Sequence, residues 1–208
     1  MSPRGIAGRC AIAAEYVVAV TGASGVIYGV EVLRALLAQG APTHLILSAT
    51  ARRVLPCETP LAAADVERLG TWCYPPDDLF APIASGSYAV RLAGMAVVPC
   101  SMKTLAAIAH GFADSLITRA ADVMLKERRR LVLVPRETPL STIHLRNMLA
   151  LAEAGAVVLP PVPVFYTRPR TVDDIVRQTV ARILDHLGLP PEGAERWGAP
   201  PADRGGEV

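Results

Sequence analysis

Five short aliphatic runs, at residues 17–20, 45–47, 95–98, 131–134 and 157–159, each lead into a stretch of helical spacing. Runs this short, apolar throughout and free of polar alternation, belong to strands buried on both faces. Such strands alternating with helices make a parallel sheet, because each connection must cross back over the sheet and cover it. The expected fold is therefore α/β: a doubly wound, Rossmann-like or flavodoxin-like parallel sheet in a three-layer αβα sandwich. With 208 residues, 51% of them hydrophobic, one domain can bury about 70% of its unfolded surface without a metal or disulfide staple.

Capping signals set the helices. Asp114 is expected to cap a helix running through Lys126, and Ser141 one that stops at Gly155. Thr171 and Asp174 form a capping box ahead of the apolar series Val172, Ile175, Val176, Val180, Ile183 and Leu184, and Gly188 ends that helix. Residues 57–87 carry Pro60, Pro75, Pro76, Pro82 and Gly86 with little periodicity, an irregular excursion suited to a lid or a subunit contact. The chain divides into an N-terminal extension (1–15), one domain (16–190) and a Pro- and Gly-rich tail (191–208).

The net charge of +2 speaks against nucleic acid or an anionic membrane as partner. Cys10, Cys57, Cys73 and Cys100 lie far apart without a nearby His pair, so they read as buried reduced thiols rather than a zinc site or disulfide framework. The apolar N-terminal stretch runs past Glu15 straight into a strand and makes a poor signal peptide. No run approaches the ~20 apolar residues of a membrane span, so a cytoplasmic protein is expected.

Ligands of open α/β sheets bind beyond the carboxyl ends of the strands. There the chain places "TGASG" (21–25), Ser48, "PCSMKT" (99–104), "PRETPLS" (135–141) and "PVPVFYTRPR" (161–170). The glycine turn can aim backbone N–H groups at an anion or serve only close helix packing. It lacks the Gly-Lys-Ser/Thr of a P-loop, and Ser48 stands where an NAD site needs an acid. Ser101, Lys103 and Thr104 open a helix, where they can meet a phosphate or simply cap it. Lys126, one of two lysines against 19 arginines, follows Arg119 by seven residues on one helix face. Singly, Lys126, Arg119, Arg136, Glu137, Tyr166 and Arg182 read as structural; together they can supply a second anion pocket.

These blocks, "VTGASGVIYG", "PCSMKTLAAIAHG", "RAADVMLKERRRLVLVPRETPLS" and "PVPVFYTRP", resemble the UbiX-like flavin prenyltransferases over roughly residues 16–190. The resemblance implies that FMN is held by Gly22, Ala23, Ser24, Ser48, Ser101, Met102, Lys103, Thr104 and Arg136, with Arg119 in the same set. It implies that dimethylallyl phosphate meets Lys126, Arg136, Glu137, Tyr166 and Arg182, beside a loop of Ser85, Gly86 and Ser87 and under Trp197. Glu58, Lys126 and Glu137 are the implied catalytic residues. The implied reaction alkylates N5 of reduced FMN as phosphate leaves, closes a ring at C6, and passes prenylated FMN to a UbiD-like decarboxylase. A homo-oligomer is implied as well. Lys and Arg can neutralise the departing phosphate without a metal, and the chain has no paired Asp-rich clusters to hold one.

Two rivals share the glycine turn. A cysteine-type FMN decarboxylase would carry a His in the first helix, a "PASANT"-like loop and an Asn-bearing "PxMN" loop; here the loops read "PCSMKT" and "PRETPLS". A non-catalytic FMN carrier could lose Lys126, Glu137 and Tyr166, and all three are present.

Overall fold

The computed structural model describes residues 14–191, 194 and 196–198, so the extension up to residue 13 and most of the tail lie outside the described residues. Six strands form one sheet: β1 (Glu15–Val20), β2 (Thr43–Leu47), β3 (Trp72–Tyr74), β4 (Leu92–Cys100), β5 (Arg130–Pro135) and β6 (Val157–Val158). All neighbours pair in parallel, in the order β3-β2-β1-β4-β5-β6. The doubly wound sandwich expected from the runs is the fold found. The chain winds outward from β1 to β3, returns to β4 beside β1, and winds the other way, which places a topological switch point between β1 and β4.

Alternation within the strands sorts the core into two layers. Val18 and Val20 of β1, with Leu45 and Leu47 of β2, face α1 (Val26–Ala38), α2 (Ala49–Glu58) and α7 (Val172–Leu187). Val17, Ala19, Ile46, Met95 and Val97 face α4 (Met102–Ala109), α5 (Leu116–Lys126) and α6 (Thr142–Glu153). Buried on both faces, the central stretches of these strands are apolar without alternation, as a parallel sheet requires, and the buried polar residues Glu15, Thr43 and His44 stand at the amino ends of β1 and β2. Gly29 lets α1 lie directly on the sheet: a Cβ there would overlap the Val98 carbonyl oxygen and come within 3.0 Å of Val20 Cγ2. Gly29→Ala is therefore expected to cost about 1–3 kcal/mol, measured as a lower midpoint in urea; an unchanged midpoint would mean that α1 can move off the sheet freely.

The structure departs from the sequence expectations at identifiable places. β3 has no counterpart among the five runs: it is three residues long, at the sheet edge, with Trp72 and Cys73 exposed, so it carries no apolar signature. The excursion is also more ordered than its prolines indicate: it holds the end of α2, then α3 (Ala63–Glu67), β3, the 3-10 turn Pro82–Ala84 and the start of another, Gly86–Arg91. Ser115, not Asp114, caps α5, its Oγ accepting from the Thr118 N–H at 3.3 Å while Asp114 accepts from the Thr118 hydroxyl. Of the described thiols only Cys100 is buried, where burial pushes it up; Cys57 and Cys73 are exposed and free, against the expectation of buried thiols. The Thr171–Asp174 capping box and the left-handed Gly188 stand where expected, and Ser141 caps α6. Among the described residues no helix is long and apolar enough to cross a membrane, and no cluster of His, Cys, Asp or Glu suits a metal ion.

Candidate active site

The loops after β1, β2, β4 and β5 meet at the switch point, and side chains there tie one loop to another. Thr21 is the knot: its hydroxyl donates to the Pro99 carbonyl at 2.7 Å and accepts from the Ser101 N–H at 2.7 Å, fixing the glycine turn against the start of α4. Ser101 caps α4, accepting from the Thr104 N–H at 3.3 Å, with the two hydroxyls 3.1 Å apart. Ser48 caps α2 through the Ala51 N–H at 3.0 Å. Both serines thus cap their helices, while their loops line the carboxyl edge of the sheet where a ligand would lie. Gly22 has a packing role: a Cβ there would overlap the Thr50 side chain. Met102 is half-buried on the core below, and Lys103 extends into solvent, 3.9 Å from Asp114.

β5 leads directly into Arg136 and Glu137. Arg136 is half-buried at the tip of β5, and its Nε donates to the Ser24 carbonyl at 3.2 Å, so its guanidinium is drawn over the glycine turn. Glu137 follows it, exposed, its Oε1 accepting from the Thr138 N–H at 3.0 Å.

Glu58, the last residue of α2, turns back onto this turn. Its Oε2 accepts from the N–H groups of Gly25 at 2.7 Å and Val26 at 3.1 Å. The anion at the amino end of α1 is therefore the chain's own carboxylate, leaving the earlier residues of the turn, Gly22 to Ser24, for a ligand. Burial opposes the Glu58 charge, yet the Ser24 side chain, the two backbone donors and nearby Arg136 hold its carboxyl below the usual carboxylate range. So held, it keeps its charge and is a weak proton acceptor.

The remaining candidates form two further groups. At the amino end of the sheet, Lys126 closes α5, paired with Glu127, and the pair abuts Gly86: a Cβ on that glycine would overlap both side chains. Ser85 and Ser87 share a hydroxyl contact of 2.9 Å there, and Arg119 donates from Nε to the Ala84 carbonyl at 3.0 Å. The third group lines a cavity of about 1050 Å³ on the outer side of α1 and α7, where Tyr166, Arg182 and Trp197 meet Arg168 and Arg170. Tyr166 and Trp197 pack edge to face at 5.5 Å, while Asp185 pairs with Arg182 and accepts two bonds from Arg196.

Among the described residues, no hydrogen bond or ion pair joins one group to another. Lys126 precedes β5 and Glu137 follows it, so the six residues of that strand, on the order of 20 Å, stand between them in one protomer. Thr21 was not among the sequence candidates. Its signal is present nonetheless, a threonine directly after the first buried run, but only the fold shows that its hydroxyl reaches a loop eighty residues on.

Comparison with known proteins adds to this geometry. The family described as Flavoprotein matches residues 8–184. A relative named a probable UbiX-like flavin prenyltransferase, from Streptomyces sp. (strain D7), is 56% identical over 182 residues, covering 87% of this chain and 90% of the relative. The solved structure of AnUbiX (PadA1) in complex with FMN and dimethylallyl pyrophosphate superposes with a TM-score of 0.87 at 51% identity, covering 89% of this chain and 98% of that one. A dodecameric FMN-dependent UbiX-like decarboxylase from Escherichia coli O157:H7 superposes with a TM-score of 0.86 at 52% identity, over 89% and 100% of the two chains.

Proposed function

The chain belongs to the UbiX-like flavin prenyltransferases within the Flavoprotein family, and from that premise we propose that it transfers a dimethylallyl group from dimethylallyl phosphate to N5 and C6 of reduced FMN. The observation that carries the reading is Arg136, a guanidinium bent over the glycine turn at the switch point, with Glu137 beside it. FMN supplies the nucleophilic ring; the chain holds it, places the allylic phosphate, and keeps water out.

The roles follow from chemistry and position. The residues of the turn, Gly22, Ala23 and Ser24, with Ser48, Ser101, Met102, Lys103 and Thr104, cradle FMN. Arg136, Lys126 and Arg182 neutralise the charge that grows on the departing phosphate, doing the work that a metal does in other prenyl transfers. Glu137 returns a proton to that phosphate as the ring loses one. Glu58, with its carboxyl held low, orients the glycine turn and is the poorer acceptor.

One protomer keeps Lys126 and Glu137 at opposite ends of β5, so the reading requires assembly: a neighbouring copy brings the Lys126 group to the Arg136 group. Exposed Leu140, just before α6, and Ile143, Leu145 and Leu149 on it are an apolar surface suited to such contacts. The product serves a UbiD-like decarboxylase, and the reaction runs in the cytoplasm.

The test is to mix the protein anaerobically with reduced FMN and dimethylallyl phosphate and to weigh the released flavin by mass spectrometry. A flavin heavier by one five-carbon unit, absent without protein, is the expected result. Bound FMN returned unaltered would make the chain a flavin carrier instead.

A further inference from the structure

A buried carboxylate that the reaction does not use sits at the opposite end of the sheet. Glu15, the first residue of β1, is 2% exposed. Its Oε2 accepts from His44 Nε2 at 2.9 Å and from the Tyr88 hydroxyl at 2.7 Å; its Oε1 accepts from Arg91 Nε at 2.8 Å and also from Arg91 Nη2. Because a carboxylate only accepts, a neutral His44 presents its proton at Nε2 and takes the Tyr74 hydroxyl at Nδ1, 3.0 Å away. The His44 ring stacks on Trp72 with centroids 4.4 Å apart, which completes the tie to the edge strand.

Two of these donors have a second significance. Tyr88 and Arg91 both belong to the 3-10 turn Gly86–Arg91, whose opening residues carry the Ser85–Ser87 loop. The Tyr88 N–H donates to the Ser85 carbonyl at 3.1 Å, so a displacement of Tyr88 is passed directly to that loop. Ser85 and Ser87 are exposed and bond chiefly to each other, which leaves few holds on the loop. On one side Arg119 grips the Ala84 carbonyl; on the other the Glu15 carboxylate grips Tyr88 and Arg91. Between these anchors, Gly86 meets Lys126 without room for a side chain.

We propose that Glu15 is a positioning residue for prenyl transfer: through Tyr88 and Arg91 it sets the turn that presses the Ser85–Ser87 loop against Lys126. The proposal rests on the reading that this loop meets dimethylallyl phosphate. It gives the buried carboxylate a task beyond joining β1 to β2, and it separates substrate placement from the FMN cradle at the other end of the strands.

Tyr88→Phe removes one bond to Glu15 and keeps the ring. In the full-length protein it is expected to raise KM for dimethylallyl phosphate about tenfold, the size of one charge-assisted hydrogen bond, while kcat and the affinity for FMN stay within about twofold. Arg91→Lys, which keeps the charge but not the paired N–H groups, is expected to shift KM the same way. A Tyr88→Phe protein that melts earlier but shows an unchanged KM would overturn the proposal and leave the network a structural tie. The paired variant Ser85→Ala/Ser87→Ala tests the underlying reading: a raised KM supports it, whereas an unchanged KM removes the loop from the substrate site and the proposal with it.

Discussion

Glu137→Gln is expected to keep FMN bound and to lower turnover by about 10²–10⁴-fold, the usual contribution of a positioned acid or base. The amide has the shape of the carboxylate and can still accept from the Thr138 N–H, so the strand tip keeps its geometry. Arg136, which reaches the Ser24 carbonyl from the preceding position, is untouched. What the amide cannot do is carry a proton between the flavin ring and the leaving phosphate. The measurement is single-turnover formation of prenylated FMN alongside the visible absorbance of bound flavin. Full turnover with Gln at 137 would remove this residue from the chemistry and return the proton to Glu58, despite its weak basicity.

Mixing two inactive proteins is expected to restore activity. Lys126→Met should lose about 10²–10³ in turnover by removing a charge from the phosphate site, and Glu137→Gln is impaired as above. If each site takes Lys126 from one copy and Glu137 from another, dissociated and co-assembled subunits in equal amounts rebuild intact sites at about a quarter of positions in a random mixture. If one copy supplies both residues, no intact site forms and the mixture stays as slow as its parents. The separation of the two residues by the length of β5 favours recovery. A mixture without recovery, shown by mass to contain both variants in one assembly, would defeat the shared site and require a large rearrangement within one chain.

The candidate site was partly legible because its signals are local. A small or hydroxyl residue directly after a buried run marks the carboxyl edge of a parallel sheet whatever the tertiary detail, and Gly22, Ser48, Ser101 and Arg136 all stand there. Glu58 is different in kind. It ends a helix in a proline-rich stretch, and nothing local shows that its carboxylate caps the start of α1 more than thirty residues earlier. β3 was illegible for a related reason: an edge strand pairs on one side only and leaves Trp72 and Cys73 exposed, so it lacks the apolar run that identifies its neighbours. Glu15 closes the 1–15 extension in the sequence division, and nothing local marks its carboxylate as buried. Burial became tolerable only when His44 of β2 and Tyr88 and Arg91 of the Gly86–Arg91 turn arrived from two later segments.

By itself the sequence determined the layered parallel fold, the edge at which ligands bind and the residue types gathered there, because hydrophobic periodicity and strand-end chemistry act over a few residues. Tertiary structure alone decided the company those residues keep. It bent Arg136 over the glycine turn, gave the amino end of α1 to Glu58, and set Lys126 at the far end of β5 from Glu137. The reason is geometric: a parallel crossover returns the chain to the amino end of the sheet, where Lys126 lies, and β5 then runs its full length to the carboxyl end, so Lys126 and Glu137, eleven residues apart in sequence, stand a whole strand apart in space.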